Sequence, residues 1–389
     1  MRALRKRKVA LGSLFFFLGL CFGSWASRIP DIQTRFDLSE GELGSLLLCL
    51  PLGSLLGLPL AGWLVHRYGS KVVILAGGFL YAISLALIGW GPNPWLVGII
   101  LVLFGLLGNV MNIAVNTQAI ALEDDLGKSI IATFHGLWSS AGFAGAGIGA
   151  GMILLSFSPE IHFSIIMILS FIVLFIAKPF IIREQNSHAG GGLLLKKPDD
   201  LLLRVGMISF LGMMCEGCMF DWSGVYFKKV VLADPSWVIT GYVVFMGAMS
   251  SGRFLSDRIT RKVGKIKIIR VSGFLIFSGL ALSVLIPTFW VSTFAFLLVG
   301  FGVAAIVPMS YSIAGRSKLY SPGVALAMVS TIAFFGFLIG PPLIGFIADI
   351  FNLQVSFALI ALNGLGIIFL SSYRKEIFDV KPQKITSNG

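Results

Sequence analysis

The chain has 389 residues, of which 56% are hydrophobic and 12% charged, and its mean hydropathy is +0.91. Soluble domains carry about 25% charged residues, so a water-soluble globular enzyme is excluded: there is too little polar surface to cover so much apolar side chain. The formal net charge of +12 points to nucleic acid only if the cations gather on one face, and their position along the chain says otherwise.

About 20 apolar residues cross a bilayer. Twelve such spans are expected near residues 9–27, 41–64, 72–91, 96–121, 131–156, 162–182, 203–227, 235–256, 267–287, 291–314, 323–348 and 354–373. The fold class is therefore an all-α membrane protein of 12 transmembrane helices in two pseudo-symmetric six-helix bundles. Residues 1–27 also follow the basic, apolar and small-residue order of a secretory signal peptide. Reading them as a span keeps six helices before residue 185 and six after residue 202. Of the 30 Lys and Arg, only Arg28, Arg35, Lys228 and Lys229 fall opposite the termini, a positive-inside bias that places both termini in the cytoplasm.

Residues 185–202 hold Gly190-Gly191-Gly192, Lys196-Lys197 and Pro198, the composition of a linker. The expected organisation is an N-terminal bundle over 1–184, a cytoplasmic linker over 185–202, a C-terminal bundle over 203–373 and a tail over 374–389. Two features recur across the linker, and internal repetition marks transporter folds. After span 2 stands Gly62-Trp-Leu-Val-His66-Arg67-Tyr-Gly69-Ser-Lys71; after span 8 stands Gly252-Arg253-Phe-Leu-Ser-Asp257-Arg258, continuing to Gly264-Lys265. An Arg beside a helix end with a carboxylate in reach makes an ion pair that can form in one conformation and break in another, so Arg67, Gly69, Asp257 and Arg258 are gating candidates. Their alternative role is to set topology. Span 5 carries Gly142, Gly145, Gly147, Gly149 and Gly151, and span 11 carries Gly336, Gly340, Pro341, Pro342 and Gly345. Small residues let helix backbones approach closely in lipid; the matched pair is expected to slide, or to be ordinary packing.

These motifs resemble those of the major facilitator superfamily. More narrowly, Ser24-Trp25-Ala26-Ser27-Arg28-Ile29-Pro30, Phe134-His135-Gly136, Glu216-Gly217 with Asp221-Trp222, and Gly340-Pro341-Pro342 are similar to its MosC-like, YbjJ-like branch. The resemblance implies a secondary transporter in a bacterial inner membrane, a rhizopine or sugar-like solute, and a cavity lined by spans 1, 4, 7 and 10. His66 stands where the family has Asp, a departure that puts the first half's carboxylate clamp in doubt.

Ionisable groups inside a span are costly and mark function by default. Glu216 lies 13 residues into span 7, roughly 20 Å along the axis, in a span whose only cation before its outer end is Arg204, so it is expected to have no fixed cation. It is expected to carry a proton through the cycle, or else to stand permanently protonated against a neighbouring helix. Asp221 lies about 7.5 Å farther out and about 140° round the helix; it is expected to pair with Arg28 as an outer gate or substrate handle, the alternative being a solvated interfacial Asp.

Asn109, Asn112 and Asn116 share one face of span 4, and uncharged amides suit a hydroxyl-rich ligand better than a greasy one. Interhelical bonding is their other use. His135 and Trp138 open span 5 at the same level. Trp25, Trp222, Tyr226 and Tyr311 offer flat faces with polar tips for a sugar-like ring, whereas Trp90, Trp95, Trp237 and Trp290 belong to the interfacial belt. The substrate-binding candidates are thus Trp25, Arg28, Asn109, Asn112, Asn116, His135, Trp138, Glu216, Asp221, Trp222 and Tyr311.

Cys215-Glu-Gly-Cys218 lies within a span and Gly145-Ala-Gly-Ile-Gly follows no strand, so neither suggests a redox or nucleotide cofactor. No metal site, cofactor, nucleic-acid partner or enzymatic activity is expected. The partners expected are a small-molecule substrate, protons and the lipid bilayer, with the chain a monomer. The function expected is proton-coupled transport of a sugar, cyclitol or similar solute; the alternatives are a drug or metabolite exporter and a non-transporting membrane sensor.

Overall fold

A computed structural model describes residues 2–126, 130–182, 197–317, 319–320 and 322–372. Most of the expected linker and all of the expected tail lie outside the described residues. Those residues form thirteen α-helices: α1 (Arg2–Ala26), α2 (Ile29–Arg35), α3 (Glu40–Tyr68), α4 (Ser70–Trp90), α5 (Pro94–Leu126), α6 (Ile131–Leu154), α7 (Pro159–Ala177), α8 (Asp200–Lys229), α9 (Thr240–Val263), α10 (Lys265–Leu285), α11 (Phe289–Ala314), α12 (Pro322–Ile350) and α13 (Leu353–Ser372). Among them are twelve stretches long and apolar enough to cross a membrane, α1 and α2 together making the first, Leu4–Arg35. Helices are the natural outcome, because in lipid every backbone polar group must find its partner within the chain.

Helix ends follow local chemistry. α2 restarts after a break at Ser27-Arg28 with Pro30 in its first turn, where the missing N–H is no loss. α3 begins on a capping box: the Glu42 amide donates to the Ser39 hydroxyl, and the Ser39 amide donates to the Glu42 carboxylate. α3 gives way to α4 at Gly69 (φ 79°, ψ 150°) and α9 to α10 at Gly264 (φ 84°, ψ 153°), a backbone region open only to glycine. These two glycines lie 195 residues apart, whereas Arg67 and Arg258 lie 191 apart. The difference of four residues is one helical turn: α9 continues that much further beyond Asp257-Arg258 than α3 does beyond Arg67.

The glycine-rich helices hold equivalent places. A Cβ at Gly145 of α6 would stand 2.8 Å from the Leu20 carbonyl of α1, and one at Gly340 of α12 would stand 2.9 Å from the Met214 carbonyl of α8; this pair is also 195 residues apart. Each glycine helix therefore lies backbone to backbone against a helix of its own half, α6 on α1 and α12 on α8. With its other side, each meets the opposite half. Phe143 of α6 reaches Gly247 of α9, and Gly345 of α12 lies against Gly44 of α3. α1 is thus an integral part of the packing. The belt candidates Trp90, Trp95, Trp237 and Trp290 are all exposed at helix ends on the side away from the termini, termed the far side below.

Candidate functional site

A polar chain links three helices, α6, α8 and α9. Glu216 of α8 is buried, and Arg253 of α9 donates to its Oε1 at 2.8 Å; the same guanidinium donates to the Ser139 hydroxyl of α6 at 2.6 Å. The Ser139 hydroxyl in turn donates to the His135 carbonyl at 3.1 Å. Glu216 Oε2 is buried without a hydrogen-bond partner among the described residues. Charge-assisted bonds of this kind are the strong ones, and each charge depends on the other for its place in an apolar surrounding.

This corrects the expectation that Glu216 has no fixed cation, because its cation comes from another helix. Arg253 is one of the cations on the side of the termini, yet it lies within the span Pro235–Ser256. Its position inside an apolar span is the signal that the sequence carries; the acid that it meets is not. Arg7 likewise lies within the first span and is occupied by Asp125 at 2.6 Å.

Around this chain the expected residues divide. Tyr311 of α11 accepts a hydrogen bond from Ser330 at 2.8 Å, leaving its own proton to donate. Trp138 lies 5.9 Å from Phe22, which meets Phe220 of α8 edge-on at 5.3 Å, an aromatic bridge between the halves. His135 is exposed, 5.8 Å from the Phe15 ring. The three asparagines are half-buried: Asn116 donates to the Asn112 carbonyl at 2.8 Å and to its side-chain oxygen at 3.1 Å, while the Asn109 Cβ lies against Gly57 of α3. The stripe forms, but its amides are partly spent on one another.

Other candidates are differently employed. Arg28 does not pair with Asp221; its guanidinium is buried and donates to Asp31 at 2.9 Å, to the Phe157 carbonyl at 2.8 Å and to His162 Nδ1 at 3.2 Å. A short-range acid and a helix end reach it first. Asp221 is half-buried and makes no hydrogen bond or ion pair with any described residue. Trp222 is fully buried and donates to the Pro341 carbonyl at 2.9 Å, which fastens α8 to α12. Tyr226 similarly donates to the Ser283 carbonyl at 2.9 Å. Trp25 is buried, and its Nε1 has no hydrogen-bond partner among the described residues. Arg67 and His66 are exposed, Gly69 is the α3–α4 break, and the side chains of Asp257 and Arg258 lie outside the described residues.

The far side is closed by contacts that the sequence reading missed. Lys229 at the end of α8 pairs with Glu40 of α3 at 2.6 Å, Lys228 donates to the Thr34 hydroxyl, and the Ser39 hydroxyl reaches Asp349 of α12 at 3.3 Å. Arg35 pairs with Glu160 at 2.8 Å. All four far-side cations are therefore tied down, two of them across the halves.

A helical transporter spanning the membrane many times is the class that this fold defines. Residues 9–319 match the Major Facilitator Superfamily. The chain is 32% identical over 356 residues to an MFS-type transporter of Yersinia pestis, covering 92% of each, and 31% identical over 365 residues to the membrane protein MosC of Rhizobium meliloti, covering 92% of this chain and 87% of that one. A mutant of the nucleoside transporter NupG shares the fold with a TM-score of 0.78 at 14% identity, covering 94% of this chain and 99% of that one. The chain belongs to the major facilitator superfamily.

Proposed function

We propose that this transporter moves a small polar solute, a sugar or cyclitol derivative, by alternating access, and that proton binding at Glu216 drives it. The observation that carries this reading is the Glu216–Arg253–Ser139 chain. Removing one partner of a buried ion pair leaves an uncompensated charge at a cost of about 3–5 kcal/mol, so neutralising Glu216 obliges Arg253 to find water, solute or a new position. Arg253 also holds Ser139 of the opposite half, so its departure loosens a contact between the two halves. Proton uptake at one carboxyl is thereby linked to relative movement of α6 and α9. The Oε2 of Glu216, the Tyr311 hydroxyl, the Asn112 and Asn116 amides and the Trp138 ring supply the hydrogen bonds and flat surface that a polyol needs.

In this reading both termini face the cytoplasm of a bacterial inner membrane, and the chain works as a monomer. Gly69 and Gly264 are breaks about which α3–α4 and α9–α10 re-aim. Arg67, Asp257 and Arg258 form or release contacts on the cytoplasmic side as the far-side closure opens.

The test is solute flux in proteoliposomes with and without an inward-acid pH gradient, using a solute first found by thermal shift, since binding to the native state raises its stability. Glu216→Gln is expected to abolish gradient-driven accumulation while leaving solute exchange. Undiminished accumulation in that variant places the coupling elsewhere.

A further inference from the structure

Where α1 meets the end of α7 on the side of the termini, a crevice of about 590 Å³ opens between them, walled by Val9, Ser13, Ile176 and Phe180 and bordered by Arg5 and Lys6. Val9 and Ile176 are each 66% exposed, so the walls face the surroundings of the protein, which beside a spanning helix means acyl chains. Arg5 and Lys6 are exposed and form no hydrogen bond or ion pair with any described residue. Lys6 stands 6.0 Å from the centroid of the Phe180 ring, at the crevice mouth. The contrast with the next residue is sharp: Arg7 turns inward and is occupied by Asp125. Lys178, in the turn after α7, adds a third exposed cation on the same side.

Basic pockets between spanning helices recruit anionic headgroups. We propose that this crevice binds one anionic phospholipid of the adjoining leaflet, its phosphate on Arg5 and Lys6 and one acyl chain along Val9, Ser13 and Ile176. The two halves of the site choose the occupant together. Cations without an acidic partner among the described residues call for net negative charge, which a zwitterionic headgroup lacks, and the apolar walls stay uncovered if free phosphate binds alone. The site stands apart from Glu216 and does not depend on what the protein carries.

Native mass spectrometry of the full chain taken from an equimolar mixture of phosphatidylglycerol and phosphatidylcholine tests the proposal. The expected result is one phosphatidylglycerol retained through delipidation by the wild type and by the charge-conserving Arg5→Lys/Lys6→Arg variant. Retention is expected to fall roughly thirtyfold in Arg5→Gln/Lys6→Gln and strongly as well in Ser13→Phe, which fills the crevice with both cations left in place. Undiminished retention in either disruptive variant overturns the proposal, as does equal retention of phosphatidylcholine or displacement of the lipid by millimolar inorganic phosphate.

Discussion

Glu216 and Arg253 illustrate how a costly residue becomes tolerable. Neither charge is stable alone in the interior of a bundle, and each is satisfied because the other stands 2.8 Å away. The pair is expected to behave as a unit in stability measurements. Glu216→Gln and Arg253→Gln should each destabilise the protein by about 3 kcal/mol, discounted somewhat because the Arg253 side chain keeps 23% of its exposure. The double variant should recover much of that loss, a coupling readable from a double-mutant cycle of unfolding in detergent. Additive losses would mean that the two side chains do not depend on each other. Arg28 shows the complementary case: with three partners around its guanidinium, it is a structural brace at the α1–α2 break, and Asp221 is left without it.

Among the elements, α6 shows that glycines in one helix are not equivalent. At Gly145 a Cβ would press on backbone atoms of α1, whereas at Gly147 it would meet nothing within 4 Å. Gly145→Ala should therefore cost about 1–3 kcal/mol through overpacking. Gly147→Ala should be neutral or slightly stabilising, since glycine costs a helix interior about 1 kcal/mol relative to alanine. Thermal unfolding of the two variants side by side checks this, and equal destabilisation would remove the close α1–α6 approach as the reason for the glycine. The spacing of these residues was legible in the sequence, because small residues recurring in a spanning segment have few other uses. Which of them touch a neighbour was not, because several of the glycines share the helix while only some face α1.

At the scale of the whole molecule, the far side is shut by Lys229–Glu40, Lys228–Thr34 and Ser39–Asp349. All three cross from one half to the other, so a state open on that side must break them. The Lys229–Glu40 pair is partly exposed, 38% and 22% for the two side chains, and pairs of that kind contribute modestly. Glu40→Gln is expected to raise the far-side-open population about two- to fivefold, measured as longer distances between spin labels on α3 and α12; an unchanged distribution would show that the remaining contacts hold the closure without this ion pair. The sequence by itself determined the twelve spans and the paired glycine breaks, because hydropathy over 20 residues and glycine-only backbone angles are local properties. Only the tertiary structure decided which charge answers which. The partners lie 37 residues apart for Arg253 and Glu216, 189 for Lys229 and Glu40, and 310 for Ser39 and Asp349, and the periodicity of one helix carries no record of the side chain that will stand opposite it.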